Sequence, residues 1–364
     1  MNKKRIAFFL PNLAGGGAEK IVVNLLKGIG EPDIDLDLVL ADAEGPLLNH
    51  VPDNVRIVNF ASSRVLKAIP ALSRYLQENK PLALVSHISH ANVAAVIAKE
   101  LSRTKTKLIL VEHNTVTYAE STEWRGRFVP LFMKWLYPRA DVVVGVSEGV
   151  TEDIKSQLGL VQNKVNTIYN PVVDDKLVLK ANSSLNHSWF APNCPPVFLG
   201  VGRLTEQKDF STLIKAFALL RQKREARLII LGEGVARAEL EQLVETLGIT
   251  EDVSLPGFTD NPYAYMKKAS AFVLSSRWEG LPTVLIEAMA CGCPVISTNC
   301  PSGPEEILQA GKYGKLVAVG DAVALSEAML DALDNPENSQ ILAQRTQDFS
   351  FDKAVSKYLE LVNC

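Results

Sequence analysis

Short apolar runs alternate with stretches of helical periodicity along the first 170 positions of the chain. Arg5–Leu10 reads as a first strand. Ala18–Gly28 reads as a helix, because Ile21, Val22, Leu25 and Leu26 recur at helical spacing. Leu36–Leu40, Val55–Asn59, Leu82–Ser86, Leu108–Glu112 and Val142–Ser147 are further strands, and helical segments such as Asn92–Leu101 separate most of them. Strand and helix in strict alternation predict a parallel sheet covered on both faces. The series stops near Asn170-Pro171. Residues 173–196 lack periodicity and carry Asn182-Ser183-Ser184 and Pro192-Asn193-Cys194-Pro195-Pro196, which reads as a linker. The alternation then restarts: strands Val197–Val201, Arg227–Leu231, Val253–Leu255, Ala271–Ser275 and Pro294–Ser297, with helices Asp209–Gln222, Val235–Gly248, Pro262–Lys268 and Pro282–Ala290. A last helical pattern covers Phe351–Leu361.

The expected architecture is therefore α/β, with two Rossmann-like, doubly wound parallel-sheet domains facing across a cleft. Residues 1–172 form the first domain, 173–196 the linker, 197–348 the second domain, and 349–364 a terminal helix expected to pack back on the first. A length of 364 residues agrees, since one core seldom serves so long a chain. Ligands of such sheets bind beyond the carboxyl ends of the strands, so the residues following each strand are the ones to read.

Composition narrows the classes. Net charge is −3, divided into +3 over residues 1–172 and −6 over 173–364. The first half thus suits an anionic partner such as a phosphate or a membrane surface, but the imbalance is too small to indicate nucleic acid. Five cysteines, with Cys291-x-Cys293 followed by proline and no nearby histidine, make neither a disulfide framework nor zinc spacing. Reduced thiols point to a cytoplasmic protein. The basic start followed by Ile6–Leu10 imitates a leader peptide, but the apolar run is too short and reads better as the first strand. No stretch offers about 20 apolar residues for a membrane span.

The strongest chemical signal is Ser275-Ser276-Arg277-Trp278-Glu279-Gly280-Leu281-Pro282-Thr283-Val284-Leu285-Ile286-Glu287. A strand ends, a loop carries Glu279, and a helix opens with Pro282 in its first turn. The unpaired amides near Thr283 and Val284 would then bind an anion. Glu287 lies one turn on, so one carboxylate is free to meet a sugar ring and the other a ribose. An acidic first helical turn would also be favourable with no ligand at all.

This Glu-x7-Glu element, with Gly280-Leu281-Pro282 inside it and Glu-Ala-Met-Ala-Cys-Gly-Cys-Pro-Val-Ile following, resembles the retaining glycosyltransferases of family four (glycosyl transferases group 1), which have the GT-B fold. Gly200-Val201-Gly202-Arg203-Leu204-Thr205-Glu206-Gln207-Lys208 is similar to that family's Gly-Arg-Leu-x-x-x-Lys segment, and Gly15-Gly16-Gly17-Ala18-Glu19 to its N-terminal glycine loop. The three motifs occur in the family's order and span nearly the whole chain.

The resemblance implies a transfer of a sugar from a nucleotide-sugar without a metal or other cofactor. Arg203 and Lys208 would hold the donor diphosphate, a role that two basic loop residues would not suggest by themselves. Glu279 would orient the transferred sugar, and Glu287 the ribose. Gly16 and Gly17 would approach the donor phosphates and the acceptor. Gly280, Leu281, Pro282, Thr283 and Val284 would line the donor site, with Glu305 of Pro301-Ser302-Gly303-Pro304-Glu305 nearby. His113, in Glu112-His113-Asn114 beyond a buried strand, would touch the donor sugar; on position alone it is as readily structural. The glycine loop does not fit a dinucleotide fingerprint, because the sixth position from Gly15 is Lys20.

Two segments carry rival readings. Asp33-Ile34-Asp35-Leu36-Asp37 has metal-chelating Asp-x-Asp spacing but opens a strand instead of closing one, and reads as surface. Trp124–Arg139 places Phe128, Leu131, Phe132, Trp135 and Leu136 on one helical face among Arg125, Arg127, Lys134 and Arg139. Such a helix either docks on the sheet or lies on a membrane. The sequence thus predicts a UDP-sugar-dependent hexosyl- or N-acetylhexosaminyltransferase acting on a lipid-linked or polysaccharide precursor, cytoplasmic and associated with the inner membrane face. The alternatives are an epimerase of the same fold and a non-catalytic carbohydrate or nucleotide-sugar binder.

Overall fold

The computed structural model describes residues 3–31, 33–119 and 129–363. The chain divides into two compact units. The first comprises residues 1–171 and 351–364, and the second residues 172–350.

The first unit holds a seven-stranded parallel sheet: β1 (Lys4–Leu10), β2 (Ile34–Leu40), β3 (Val55–Asn59), β4 (Ala83–His87), β5 (Lys107–Glu112), β6 (Val142–Gly145) and β7 (Val165–Thr167). Its order is β3-β2-β1-β4-β5-β6-β7. The central strands read as unbroken apolar runs because helices cover both faces; Ile6 to Leu10 and Leu108 to Val111 are all buried. The second unit repeats the plan with six strands: β8 (Val197–Val201), β9 (Arg227–Leu231), β10 (Val253–Gly257), β11 (Ala271–Leu274), β12 (Val295–Thr298) and β13 (Lys315–Val317), ordered β10-β9-β8-β11-β12-β13. Phe198, Phe217, Leu228, Ile230, Val273 and Ile296 belong to one continuous core. The sheets change direction between β1 and β4 and between β8 and β11, and these switch points are where ligands of open α/β sheets bind.

The stretch read as a linker is more ordered than its composition suggests. It contains helix Asp175–Ala181, capped by the Asp174 carboxylate, which accepts from the Leu177 amide at 2.8 Å. That stretch belongs to the second unit. Where the chain leaves that unit, Val172 N–H donates to Phe349 C=O at 3.0 Å. The terminal helix Phe351–Asn363 belongs to the first unit and packs on helix Gly17–Gly28, close enough that a Cβ on Gly28 would lie 2.7 Å from Val355 Cγ2.

The Asp-x-Asp reading needs a partial correction. Asp35 is half-exposed beside Lys3 and Arg5, but Asp37 is buried within β2, where it pairs with Arg56 and accepts from Tyr75. Its charge is satisfied structurally, far from a surface role.

Candidate active site

In the second unit the chemistry gathers at the β8/β11 switch point. After β8 the chain runs through Gly202, Arg203 and Leu204 into a short turn, Glu206–Lys208. The turn stays close to the sheet because Gly232, at φ 137°, lets the β9 loop meet it backbone to backbone; a Cβ there would lie 2.0 Å from Gly202 C=O. Lys208 Nζ donates to Glu279 Oε1 at 2.6 Å, and Ser276 Oγ donates to the same oxygen at 2.6 Å. Glu279 is buried, so this pair is a fixed charge arrangement and not a surface ion pair.

Backbone and side-chain bonds stitch three strand-end loops into one wall. Arg277 N–H donates to Gln207 C=O at 2.8 Å, and Ser275 Oγ to Lys208 C=O at 2.8 Å. Thr298 Oγ1 donates to Ser276 C=O at 2.6 Å, and Ser302 Oγ to Gly280 C=O at 2.8 Å. Gly303, at φ 94°, sits so close that a Cβ would lie 2.4 Å from Pro282 Cδ. Gly280, Leu281 and Pro282 are buried in this wall.

Helix Thr283–Ala290 begins one residue later than the sequence suggests. Pro282 is its cap and not its first helical residue, with φ −70° and ψ 92°. Thr283 and Val284, half-buried, supply the first amides, which have no acceptor inside the helix. Glu287 is buried one turn on, with Tyr263 OH 3.5 Å from its Oε1. Arg203 is exposed and makes no hydrogen bond or ion pair with the described residues. Glu305 is exposed in the four-residue helix Pro304–Ile307, beyond β12. Burial and the Glu279 charge push the neighbouring Cys300 thiol up to about 12, and burial pushes Cys291 up to about 12, so neither is a reactive thiolate.

In the first unit the glycine loop follows β1. Gly15 has φ 100°; Gly16 caps helix Gly17–Gly28, and nothing lies within 4 Å of a Cβ built on Gly17. His113 follows β5. Its Nε2 is 2.9 Å from Nδ1 of His87, the last residue of β4. Burial pushes the His113 imidazole down to about 4, and burial with the nearby His113 holds His87 well below the usual imidazole range. Both rings are therefore neutral near pH 7. The next residue after His87, Ile88, has φ 76°, a sparsely populated conformation for a β-branched residue that costs about 1–3 kcal/mol. Glu112 is buried beneath, accepting from Ser89 Oγ at 2.8 Å, Asn92 Nδ2 at 2.8 Å and Tyr137 OH; burial raises its carboxyl despite these bonds.

The structure thus joins Lys208 and Glu279 directly and sets Pro282 at the cap, and Thr283, Val284 and Glu287 on the body, of the adjoining helix. His113, Gly16 and Gly17 lie in the other unit. Sequence reasoning missed His87, Ser276 and Asp209. His87 carried the same signal as His113, a histidine at a carboxyl strand end. Asp209 was read only as the first residue of helix Asp209–Gln222; in the fold it caps that helix and also accepts from Arg277 Nε at 3.1 Å.

The aromatic–basic segment lies partly outside the described residues, including Trp124, Arg125, Arg127 and Phe128. The described part is helix Val129–Leu136 and the turn Tyr137–Arg139. Its inner contacts are Met133 and Tyr137, while Leu131, Phe132 and Trp135 are 56%, 55% and 70% exposed. They line an open groove of about 480 Å³ with Ile97, Leu101 and Arg139. No helix among the described residues is long and apolar enough to cross a membrane.

Two doubly wound sheets, each with polar groups collected at its switch point, define a protein of Rossmann-like units that binds ligands at its strand ends. Comparison with known proteins assigns the chemistry: "Glycosyltransferase Family 4" matches residues 15–176 and "Glycosyl transferases group 1" residues 185–349, and the chain belongs to this family and is a glycosyltransferase. It is 28% identical over 363 residues, 96% of each chain, to the N-acetylgalactosamine-N,N'-diacetylbacillosaminyl-diphospho-undecaprenol 4-alpha-N-acetylgalactosaminyltransferase of Campylobacter jejuni. It is 33% identical over 254 residues to an uncharacterized glycosyltransferase of Methanocaldococcus jannaschii, a match spanning 67% of this chain and 62% of that one. Among solved structures, Anabaena Alr3699/HepE in complex with UDP and glucose superposes with a TM-score of 0.79 at 20% identity, covering 99% of both chains. That likeness agrees with the GT-B fold.

Proposed function

We propose that the protein is a retaining, metal-independent glycosyltransferase that moves a hexose or N-acetylhexosamine from a UDP-sugar to a lipid-linked or polysaccharide precursor. The observation that carries this reading is the half-buried Lys208 on the buried Glu279 and Ser276 beside the N-terminus of helix Thr283–Ala290. A lysine, an arginine with no partner among the described residues, and free helical amides offer positive charge where a diphosphate leaves. Stabilising charge that develops in the transition state is commonly the largest catalytic contribution. Arg203 grips the diphosphate through its planar fork and Lys208 acts as a point charge. Glu287 takes the ribose hydroxyls, Glu279 and His113 the sugar, Gly16 and Gly17 the phosphates and acceptor, and Glu305 the edge of the donor. The acceptor hydroxyl attacks the face that the leaving group vacates, and the departing phosphate oxygen takes its proton.

UDP is favoured because HepE was solved with UDP and glucose, and a prenyl-linked acceptor because the Campylobacter relative is named for one. The exposed Leu131, Phe132 and Trp135, with Lys134 and Arg139 alongside, suit contact with the surface of an anionic membrane, where such an acceptor is found. On this reading the enzyme works at the cytoplasmic face. The test is release of nucleotide from UDP-, GDP- and ADP-sugars in EDTA. Release from one class, lost in Lys208→Ala and Glu279→Ala, is expected. Dependence on added divalent metal would overturn metal independence, and binding of no nucleotide would overturn the donor site.

A further inference from the structure

His87 is the last residue of β4, at the switch point of the first sheet, and its side chain is completely buried. Its Nδ1 faces His113 Nε2 at 2.9 Å, and its Nε2 is buried with no hydrogen-bond partner among the described residues. Each ring is neutral, so each carries one proton and one lone pair. Two arrangements satisfy the contact. In one, His113 donates from Nε2 and the His87 proton is left on its isolated Nε2. In the other, His87 donates from Nδ1, only a lone pair is isolated, and the His113 proton is on Nδ1. Buried N–H groups without an acceptor are rarer than under-used acceptors. The second arrangement is therefore favoured, and the stack of His87 on Phe8 (centroids 6.2 Å apart, planes at 23°) holds the ring in place.

We infer that His87 is a positioning residue that fixes the proton of His113 on Nδ1, so that the half-buried His113 ring offers its ligand a hydrogen-bond donor and no free lone pair. This has a chemical consequence. With Nε2 occupied and Nδ1 protonated, His113 has nothing with which to accept a proton from an attacking hydroxyl. It serves as a donor to a sugar oxygen and not as a general base. The inference rests on the reading of His113 as a donor-sugar contact only for its effect on turnover; the proton position is independent of it.

The test is a long-range proton–nitrogen correlation spectrum of the full chain labelled at histidine, recorded near pH 7.5 without nucleotide, with His113→Gln to assign the ring. The expected result is a protonated Nδ1 in the wild type, retained in His87→Asn, whose amide can donate from the same place, and replaced by Nε2 protonation or a mixture in His87→Leu. A wild type protonated at Nε2 would overturn the inference. So would an unchanged His113 signal in a folded His87→Leu protein; should that variant fail to fold, the wild-type and His87→Asn spectra decide. Turnover should fall about tenfold in His87→Leu, with donor KM within about twofold and most of the rate restored in His87→Asn. A shifted proton with unchanged turnover would leave the inference intact and remove His113 from the donor site.

Discussion

The two sheets end in opposite chemistry. The second closes on charge: a half-buried lysine on a buried glutamate, a helix terminus and an arginine with no partner among the described residues. The first closes on two neutral imidazoles and a bare glycine loop. Both are doubly wound parallel sheets with a switch point, so the fold does not dictate the difference. On the proposed function, the difference is what the transfer needs: a leaving diphosphate would gain charge and call for fixed cations. The sugar and acceptor hydroxyls stay neutral and call for directional hydrogen bonds in a site that does not compete by ionising.

The largest effect should come from the charged end. Lys208→Ala and Glu279→Ala are expected to lower kcat/KM for sugar transfer by about 10²- to 10³-fold, the usual loss for one preorganised group that meets developing charge. His113→Gln should cost roughly tenfold, the value of one neutral hydrogen bond. Equal losses in steady-state kinetics of the three variants would abolish the division between charged and neutral ends.

The exposed face offers a sharper contrast, since it should matter only with lipid present. Phe132→Glu combined with Trp135→Glu removes two large apolar side chains from a surface, each able to contribute about 1.5–3 kcal/mol on burial. Binding to vesicles containing anionic lipid should fall at least tenfold in flotation assays, while nucleotide release in detergent-free buffer stays near wild type. Flotation unaffected by the double change, or by charge reversal at Lys134, would remove the membrane from the first unit's role.

Within the charged end, Asp209 separates scaffold from chemistry. It caps helix Phe210–Arg221, accepting from Thr212 N–H at 3.3 Å and Thr212 Oγ1 at 2.8 Å, at φ 44°. Asp209→Ala should cost about 1–2 kcal/mol in urea unfolding, as lost caps do, with donor KM changed less than in Lys208→Ala. A loss of activity without loss of stability would move Asp209 from support into the site.

This contrast also governs what could be read from sequence. The second unit was legible because its chemistry is local. Strands Val197–Val201 and Arg227–Leu231 end where their apolar runs end, and Glu279, Pro282 and Glu287 sit within one strand–loop–helix segment. The three-residue strands β7 and β13 were missed because so short a run has no period to detect. Helix Asp175–Ala181 was hidden by its Asn- and Pro-rich surroundings, although Asp174 is a good cap. In the first unit Gly16, Gly17 and His113 were named, but the pairing of His113 with His87 was illegible for a different reason. His87 and His113 are 26 positions apart, and only the pairing of β4 with β5 brings them together. Nor could periodicity reveal which way helix Val129–Leu136 would turn its apolar residues: Met133 and Tyr137 won the inner face, and Trp135 was left outside.

The smallest effect tests the neutral end directly. The folded-state value for His113 lies near 4, below the ordinary imidazole value of 6.5. The unfolded chain therefore takes up the proton first as pH falls. Stability contributed by the neutral ring is complete above about pH 6.5 and is lost progressively between pH 6.5 and 4. Glu112 acts in the opposite sense, since its raised carboxyl protonates first in the folded state and gains stability as pH falls toward its unfolded value. Comparing wild type with His113→Gln isolates the histidine. Glutamine can keep a hydrogen bond to His87 but cannot titrate. Between pH 7.5 and 4.5 the wild type should lose roughly 1–2 kcal/mol more than the variant, allowing for partial exposure of the ring. Parallel pH profiles from denaturant unfolding would mean that His113 charges freely in the folded protein, and the neutral end would then be no more neutral than the charged one.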